Sequence, residues 1–211
     1  MRYIYLHGFA SSPKSQKVQY LKDSVAKRNV TLEVPDLNRE GFEQLTLTRQ
    51  LTQVSQLIGG DRAVLIGSSF GGLTAAYLGD RLKNQIAHLI LLAPAFGFPQ
   101  RWRDNLSADK QEQWQTTGQM MVYHHGEGQE CPLNYSFWED AQGYDWTQIS
   151  NTVPTQIFHG VHDETVPIDY SRQYAKGRPW VELTELDSDH RLSDRPSLTQ
   201  ISAALLHTIP S

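Results

Sequence analysis

The chain has 211 residues, 39% of them apolar and 20% charged, and a formal net charge of -4. That is enough chain for one domain with a sizeable core, and it lacks the basic excess that marks a nucleic-acid or anionic-membrane surface. Cys131 is the single cysteine, which excludes an intrachain disulfide and fits a cytoplasmic setting.

Residues 3–6, Tyr-Ile-Tyr-Leu, form a short apolar strand that stops at His7-Gly8-Phe9-Ala10-Ser11-Ser12-Pro13. The run is too short for a signal peptide. No stretch of the chain approaches the ~20 apolar residues of a membrane span. Pro13 suits the first turn of a helix, with Ser12 as its N-cap, and Val18, Leu21 and Val25 continue at helical spacing. Lys14, Lys17, Lys22, Lys27 and Arg28 read as the solvated face of that helix. Residues 30–34 form a second strand. Leu47, Leu51, Val54 and Ile58 repeat on one helical face, and Gly59-Gly60 ends that helix. Residues 63–66 are a buried strand, 73–82 a helix and 86–93 another strand. The strands are continuously apolar and alternate with helices, the pattern of a parallel sheet covered on both faces.

From about residue 96 to 152 this alternation stops. The segment is rich in aromatics: Trp102, Trp114, Tyr123, Tyr135, Phe137, Trp138, Tyr144 and Trp146. Residues 108–117 read as a helix between Ser107 and Gly118, and 120–124 with 134–138 as a hairpin. A structureless loop of that length is uncommon, so the expectation is a cap insertion over the C-terminal edge of the sheet. Its aromatics either form its own core or line an apolar substrate pocket. The alternation then resumes with strands at 155–159 and 181–186. Helices follow at 168–175 and 198–206, with Asp194 and Ser197 near the start of the last one.

The chemistry centres on Gly67-Ser68-Ser69-Phe70-Gly71, a G-x-S-x-G pentapeptide between a buried strand and a helix. A sharp turn there pushes the central hydroxyl into open space, and the flanking glycines let neighbouring backbone pass. Ser69 is the central residue; Ser68 is expected to pack beneath it. A serine hydroxyl needs a base, a carboxylate to orient that base, and donors for the oxyanion. In an elbow fold the partners follow in the order Ser, acid, His, on loops after later strands.

Asp163 lies in such a loop, with Glu164 as its rival, better placed as a first-turn charge. His190 is the one histidine between the last strand and the last helix; His207 sits near a helix end, where it favours the helix dipole. The Phe9 and Phe70 amides are the expected oxyanion donors. His7 is read as a structural residue whose ring holds its loop. Eight histidines raise the question of metal. His159, His162 and Asp163 cluster in sequence, but no second ligand group has metal-site spacing, and no metal or cofactor is expected.

With those residues in place the chain resembles the α/β-hydrolase superfamily over nearly its whole length. The opening Tyr-Ile-Tyr-Leu-His-Gly-Phe-Ala-Ser-Ser-Pro and the Ile66-Gly67-Ser68-Ser69-Phe70-Gly71-Gly72 turn look like the YqiA-type esterases, whose sheet also begins at the strand carrying His-Gly-Phe. The resemblance implies a serine esterase with catalytic Ser69, Asp163 and His190 and an oxyanion hole at Phe9 and Phe70. The insert is longer and more aromatic than that group leads one to expect, so substrate preference is not carried over. A small-molecule acyl ester or thioester is the expected substrate class. A carbon–carbon bond hydrolase with the same residues, or a non-enzymatic ligand-binding protein of the same fold, are the alternatives.

Overall fold

The computed structural model describes residues 1–38 and 41–210 of the chain. In order, its first half runs β1 (Arg2–Leu6), α1 (Gln16–Ala26), β2 (Leu32–Glu33), α2 (Leu47–Ile58), β3 (Ala63–Ser68), α3 (Phe70–Arg81) and β4 (Ile86–Leu92). The aromatic segment holds α4 (Gln100–Asp104), α5 (Ala108–Thr117), β5 (Gln119–His124), β6 (Gln129–Asn134) and α6 (Ser136–Ala141). β7 (Thr155–Gly160), α7 (Asp169–Ala175), β8 (Val181–Leu186) and α8 (Arg195–His207) complete the chain.

Six strands form one sheet in the order β2-β1-β3-β4-β7-β8, and every neighbouring pair is parallel. Successive strand side chains point to opposite faces, so each central strand feeds two cores. Ile4, Leu6, Leu65, Leu89, Leu91 and Ile157 face one way, against Leu51, Val54 and Ile58 of α2 and Leu73 and Ala76 of α3. Tyr3, Tyr5, Val64, Ile66, Ile90, Leu92 and Phe158 face the other way, against Val18, Leu21 and Val25 of α1 and Ile201 and Leu205 of α8. Full burial of each such aliphatic side chain contributes about 1.5–3 kcal/mol.

Helix starts follow local capping chemistry. Thr46 accepts from Arg49 N–H, Ser107 from Lys110 N–H, and Asp194 from Ser197 N–H. The first helix begins later than its Ser12-Pro13 signal suggests: Ser15 is the N-cap, accepting from Val18 N–H, while Ser12 accepts from Lys14 N–H in the turn before it. α3 begins earlier, directly after Ser69. β2 shrinks to an edge pair beside β1. One basic residue departs from the expected solvated face. Lys17 is 9% exposed, its ammonium donating to the Ser68 hydroxyl at the end of β3.

In the aromatic segment β5 pairs antiparallel with β6, Met120 opposite Leu133 and Val122 opposite Cys131. The second hairpin strand therefore lies at Gln129–Asn134 and not at 134–138. Phe137, Trp138 and Ala141 bury instead on one face of α6, an i, i+1, i+4 pattern that suits a helix. Trp114, Phe137 and Trp138 belong to the same apolar cluster as the sheet, and Trp114 Nε1 donates to Leu133 O at 3.0 Å. The hairpin tip docks on the loop after β1, where Gly126 N–H donates to Ala10 O. Among the described residues no helix is long and apolar enough to cross a membrane.

Candidate active site

Ser69 stands at a sharp turn between β3 and α3, with φ 54° and ψ -117°. A non-glycine residue there carries about 1–3 kcal/mol of backbone strain. The turn is held from both sides. Ser69 N–H donates to Leu92 O at 2.8 Å, and Ser69 O accepts from Gly72 and Ala95 N–H. A Cβ at Gly67 would run into the Gly71 backbone, and one at Gly71 into the Leu6 and His7 carbonyls. The two glycines thus let β1, β3 and α3 approach closely enough to form the elbow.

The loop after β1 passes over the serine. A Cβ on Gly8 would lie 3.9 Å from Ser69 Oγ. His7 fixes this loop from below. Its ring is 2% exposed, Nε2 accepts from Leu37 N–H at 3.0 Å, and Nδ1 donates to Gly8 O at 3.0 Å. Burial pushes its pKa down, which favours the neutral ring this pair of bonds requires. The Phe9 ring is the centre of an aromatic cluster, 5.3 Å from Phe98, 5.4 Å from Trp102 and 5.4 Å from Phe137 between centroids. The Phe9 ring thus anchors the amide that the sequence marks as an oxyanion donor. Phe70 opens α3, so its N–H is a first-turn donor without an intrahelical partner. Neither Phe9 N–H nor Phe70 N–H donates to another protein group among the described residues.

The two other sequence-predicted side chains meet Ser69 from the ends of β7 and β8. His190 Nε2 lies 3.0 Å from Ser69 Oγ, and His190 Nδ1 lies 2.6 Å from Asp163 Oδ2. The Asp163 side chain is fully buried and that of His190 is 21% exposed. Asp163 Oδ1 accepts from Thr165 and Val166 N–H at 2.9 and 2.7 Å, which locks the carboxylate plane. Gly160 brings the two loops together, since a Cβ there would strike Ser188 O. Glu164 is exposed at the rim and makes no such contact. His207 lies far along α8, its Nδ1 on Ala203 O.

His159 is a residue that sequence reading weighed only as a metal ligand. It is fully buried, with Nε2 3.1 Å from Asp163 Oδ2 and 2.9 Å from Val166 O, and Nδ1 2.8 Å from Ser171 Oγ. Two acceptors face Nε2, so Nε2 carries the proton and Nδ1 accepts from the Ser171 hydroxyl. Burial alone would raise the Asp163 pKa. The hydrogen bonds from His159, His190 and Val166 and the His190 charge outweigh it and hold the carboxyl well below the usual carboxylate range. Asp163 is therefore ionised throughout the neutral range.

Ser69 opens into a cleft of about 1120 Å³. One wall is apolar and drawn partly from the aromatic segment: Phe9, Phe96, Phe98, Trp102 and Val122. The other is polar, with Ser15, Gln16, Lys17, Ser68 and Asp189. Ser68 does not simply pack away beneath Ser69; its hydroxyl accepts from Lys17 Nζ at 3.2 Å and lines the cleft. Burial lowers the Lys17 pKa to about 8, with Asp189 and Asp163 pulling it back up. The aromatics of the insert divide accordingly, Trp114 and Phe137 into the core and Trp102 and Tyr123 onto the cleft. Among the described residues no group of three His, Cys, Asp or Glu side chains is arranged to hold a metal ion.

Known structures share this architecture. A putative hydrolase from Agrobacterium vitis S4 superposes with a TM-score of 0.86 at 24% identity, over 99% of this chain and 88% of that one. Alpha/beta hydrolase domain-containing protein 10 from mouse gives 0.81 at 20% identity, over 98% and 88%. Est1E from Butyrivibrio proteoclasticus, solved with ferulic acid bound, gives 0.82 at 20% identity, over 97% and 87%. At these identities the likeness establishes the α/β-hydrolase fold. Residues 2–205 match a sequence family described as an uncharacterised protein family, UPF0227, and the chain belongs to it.

Proposed function

We propose that the chain is a serine hydrolase that cleaves carboxylic esters through an acyl-enzyme on Ser69. The observation that carries this reading is the continuous path from Ser69 Oγ through His190 to the buried Asp163 carboxylate, with spacings of 3.0 and 2.6 Å. His190 Nε2 takes the Ser69 proton as Oγ attacks the ester carbonyl. Asp163 holds Nδ1–H and stabilises the imidazolium that forms. The oxyanion falls between the Phe9 and Phe70 amides, each such donor being worth on the order of 10²–10³ in rate. His190 then protonates the leaving alcohol, and water repeats the sequence on the acyl-enzyme to release the acid.

The strained turn keeps Oγ aimed before substrate arrives, so little ordering is left for the reaction step. The segment at about 96–152 is read as a cap, whose Phe98, Trp102 and Val122 wall the cleft and exclude water from the acyl or alcohol group. The test is hydrolysis of p-nitrophenyl butyrate by wild type and Ser69→Ala. The variant is expected to lose activity to background while its circular dichroism spectrum and melting temperature stay close to wild type. Retained turnover would sink the reading.

A further inference from the structure

The polar wall of the cleft contains a charge with no carboxylate in direct contact among the described residues. Lys17 sits in the first turn of α1, 9% exposed, and among the described residues its side chain has one hydrogen bond, to the neutral Ser68 hydroxyl at 3.2 Å. No carboxylate lies within 4 Å of its ammonium among the described residues. An ammonium has three donors, so two remain without a protein acceptor among the described residues. Burying such a charge against one neutral acceptor costs more than that bond returns, and Asp189 and Asp163 offset the cost only from beyond contact distance. The place is also wrong for a cation in the free protein, because a helix N-terminus carries positive partial charge. Ser15, Gln16 and Lys17 line the cleft together, and the first-turn amides of Gln16 and Lys17 have no intrahelical acceptor. Helix end and ammonium therefore border the same cleft. An anion placed there answers both.

We propose that Lys17 is a specificity-determining residue that receives an anionic oxygen group, carboxylate or phosphate, borne by the ester substrate; this rests on the serine-hydrolase reading above. Ser68 directly precedes Ser69, so the anion site begins next to the reacting hydroxyl. The substrate is then an amphipathic ester. Its apolar part lies along Phe9, Phe98 and Trp102, and a short arm ends in the anion at Lys17. Arg101 and Arg191 also line the cleft, so the Lys17 variants are needed to assign the preference to this side chain.

The experiment compares kcat/KM for three pairs of an anionic and a neutral ester. The first is p-nitrophenyl hydrogen glutarate against p-nitrophenyl pentanoate, with the anion on the acyl side. The second is 4-butyryloxybenzoate against its methyl ester, and the third 4-butyryloxyphenyl phosphate against phenyl butyrate, with carboxylate and phosphate on the alcohol side. Wild type is expected to favour the anionic member of at least one pair by tenfold or more. Lys17→Met and Lys17→Gln, checked for folding by thermal melting, are expected to cut that ratio at least tenfold, chiefly through KM of the anionic ester. Three results would overturn the proposal: no wild-type preference in any pair, an unchanged ratio in a folded variant, or an equal fall for neutral and anionic esters, the mark of a role through Ser68 alone. Absence of turnover for every ester would remove the hydrolase reading and this one with it, whereas neutral turnover without anion preference removes this one alone.

Discussion

His159 Nε2 stands 3.1 Å from Asp163 Oδ2, the same oxygen that faces His190 Nδ1. The carboxylate is thus held by two imidazoles, one fully buried and one at the cleft. With the Thr165 and Val166 amides on its other oxygen, Asp163 has little freedom to turn. Replacing His159 by Leu leaves Val166 O and Ser171 Oγ without their ring partner. The expected outcome is a loss of about 1–3 kcal/mol in stability, the cost of unsatisfied buried polar groups, and a fall of about tenfold in kcat as Asp163 loosens. Urea unfolding and p-nitrophenyl butyrate kinetics measure the two. An unaltered kcat in a destabilised variant would confine His159 to packing.

Asp163→Asn keeps the shape and removes the charge. The amide would favour the wrong His190 tautomer, and kcat is expected to drop by about 10⁴. The acid limb of the stability curve should change as well. The folded Asp163 carboxyl lies below its ordinary value of about 3.9, so it contributes stability that is fully present above pH ~4 and is lost as pH falls through the folded value. Asp163→Asn is expected to flatten the loss of stability below pH ~4. The check is a series of urea midpoints from pH 2.5 to 7 for both proteins; identical acid limbs would contradict the assignment.

Much of this arrangement is legible in the sequence, for a physical reason. An elbow forces glycine at Gly67 and Gly71, where a Cβ would enter neighbouring backbone, and it fixes which serine is central. Asp163 and His190 stand out because each follows a buried strand in the required order. The six-stranded parallel sheet follows from apolar strands alternating with helices. His159 and Lys17 were less legible. His159 is the fifth residue of an apolar strand, and only the fold shows that its ring turns toward Asp163. Lys17 flanks the buried stripe of Val18, Leu21 and Val25, but its ammonium meets Ser68 at the end of β3, which is remote in sequence. The second hairpin strand is hidden in the sequence because Cys131 and Pro132, which pair with Val122 and Met121, lie in a polar stretch with Gly126 and Gly128 that reads as a loop.

Gly160 offers a test of how closely the two late loops must approach. A Cβ at this position would meet the Ser188 and Asp189 carbonyls, which are backbone and cannot swing aside. Gly160→Ala is expected to destabilise the fold by about 1–3 kcal/mol, as overpacking does, and to lower kcat more than it raises KM by moving His190 away from Asp163. Melting temperature and steady-state kinetics report both effects. A variant as active as wild type would show that the loops tolerate separation.

The central claim is that Ser69 is a nucleophile activated by His190, and covalent capture tests it most directly. Wild type, Ser69→Ala and His190→Ala are each treated with a fluorophosphonate probe, and the modified peptide is located by mass spectrometry. The expected result is stoichiometric labelling on Ser69 in wild type, none in Ser69→Ala, and labelling slowed by at least 10²-fold in His190→Ala, the range of a lost general base. Absence of labelling in folded wild type, or labelling at another residue that persists in Ser69→Ala, would contradict it.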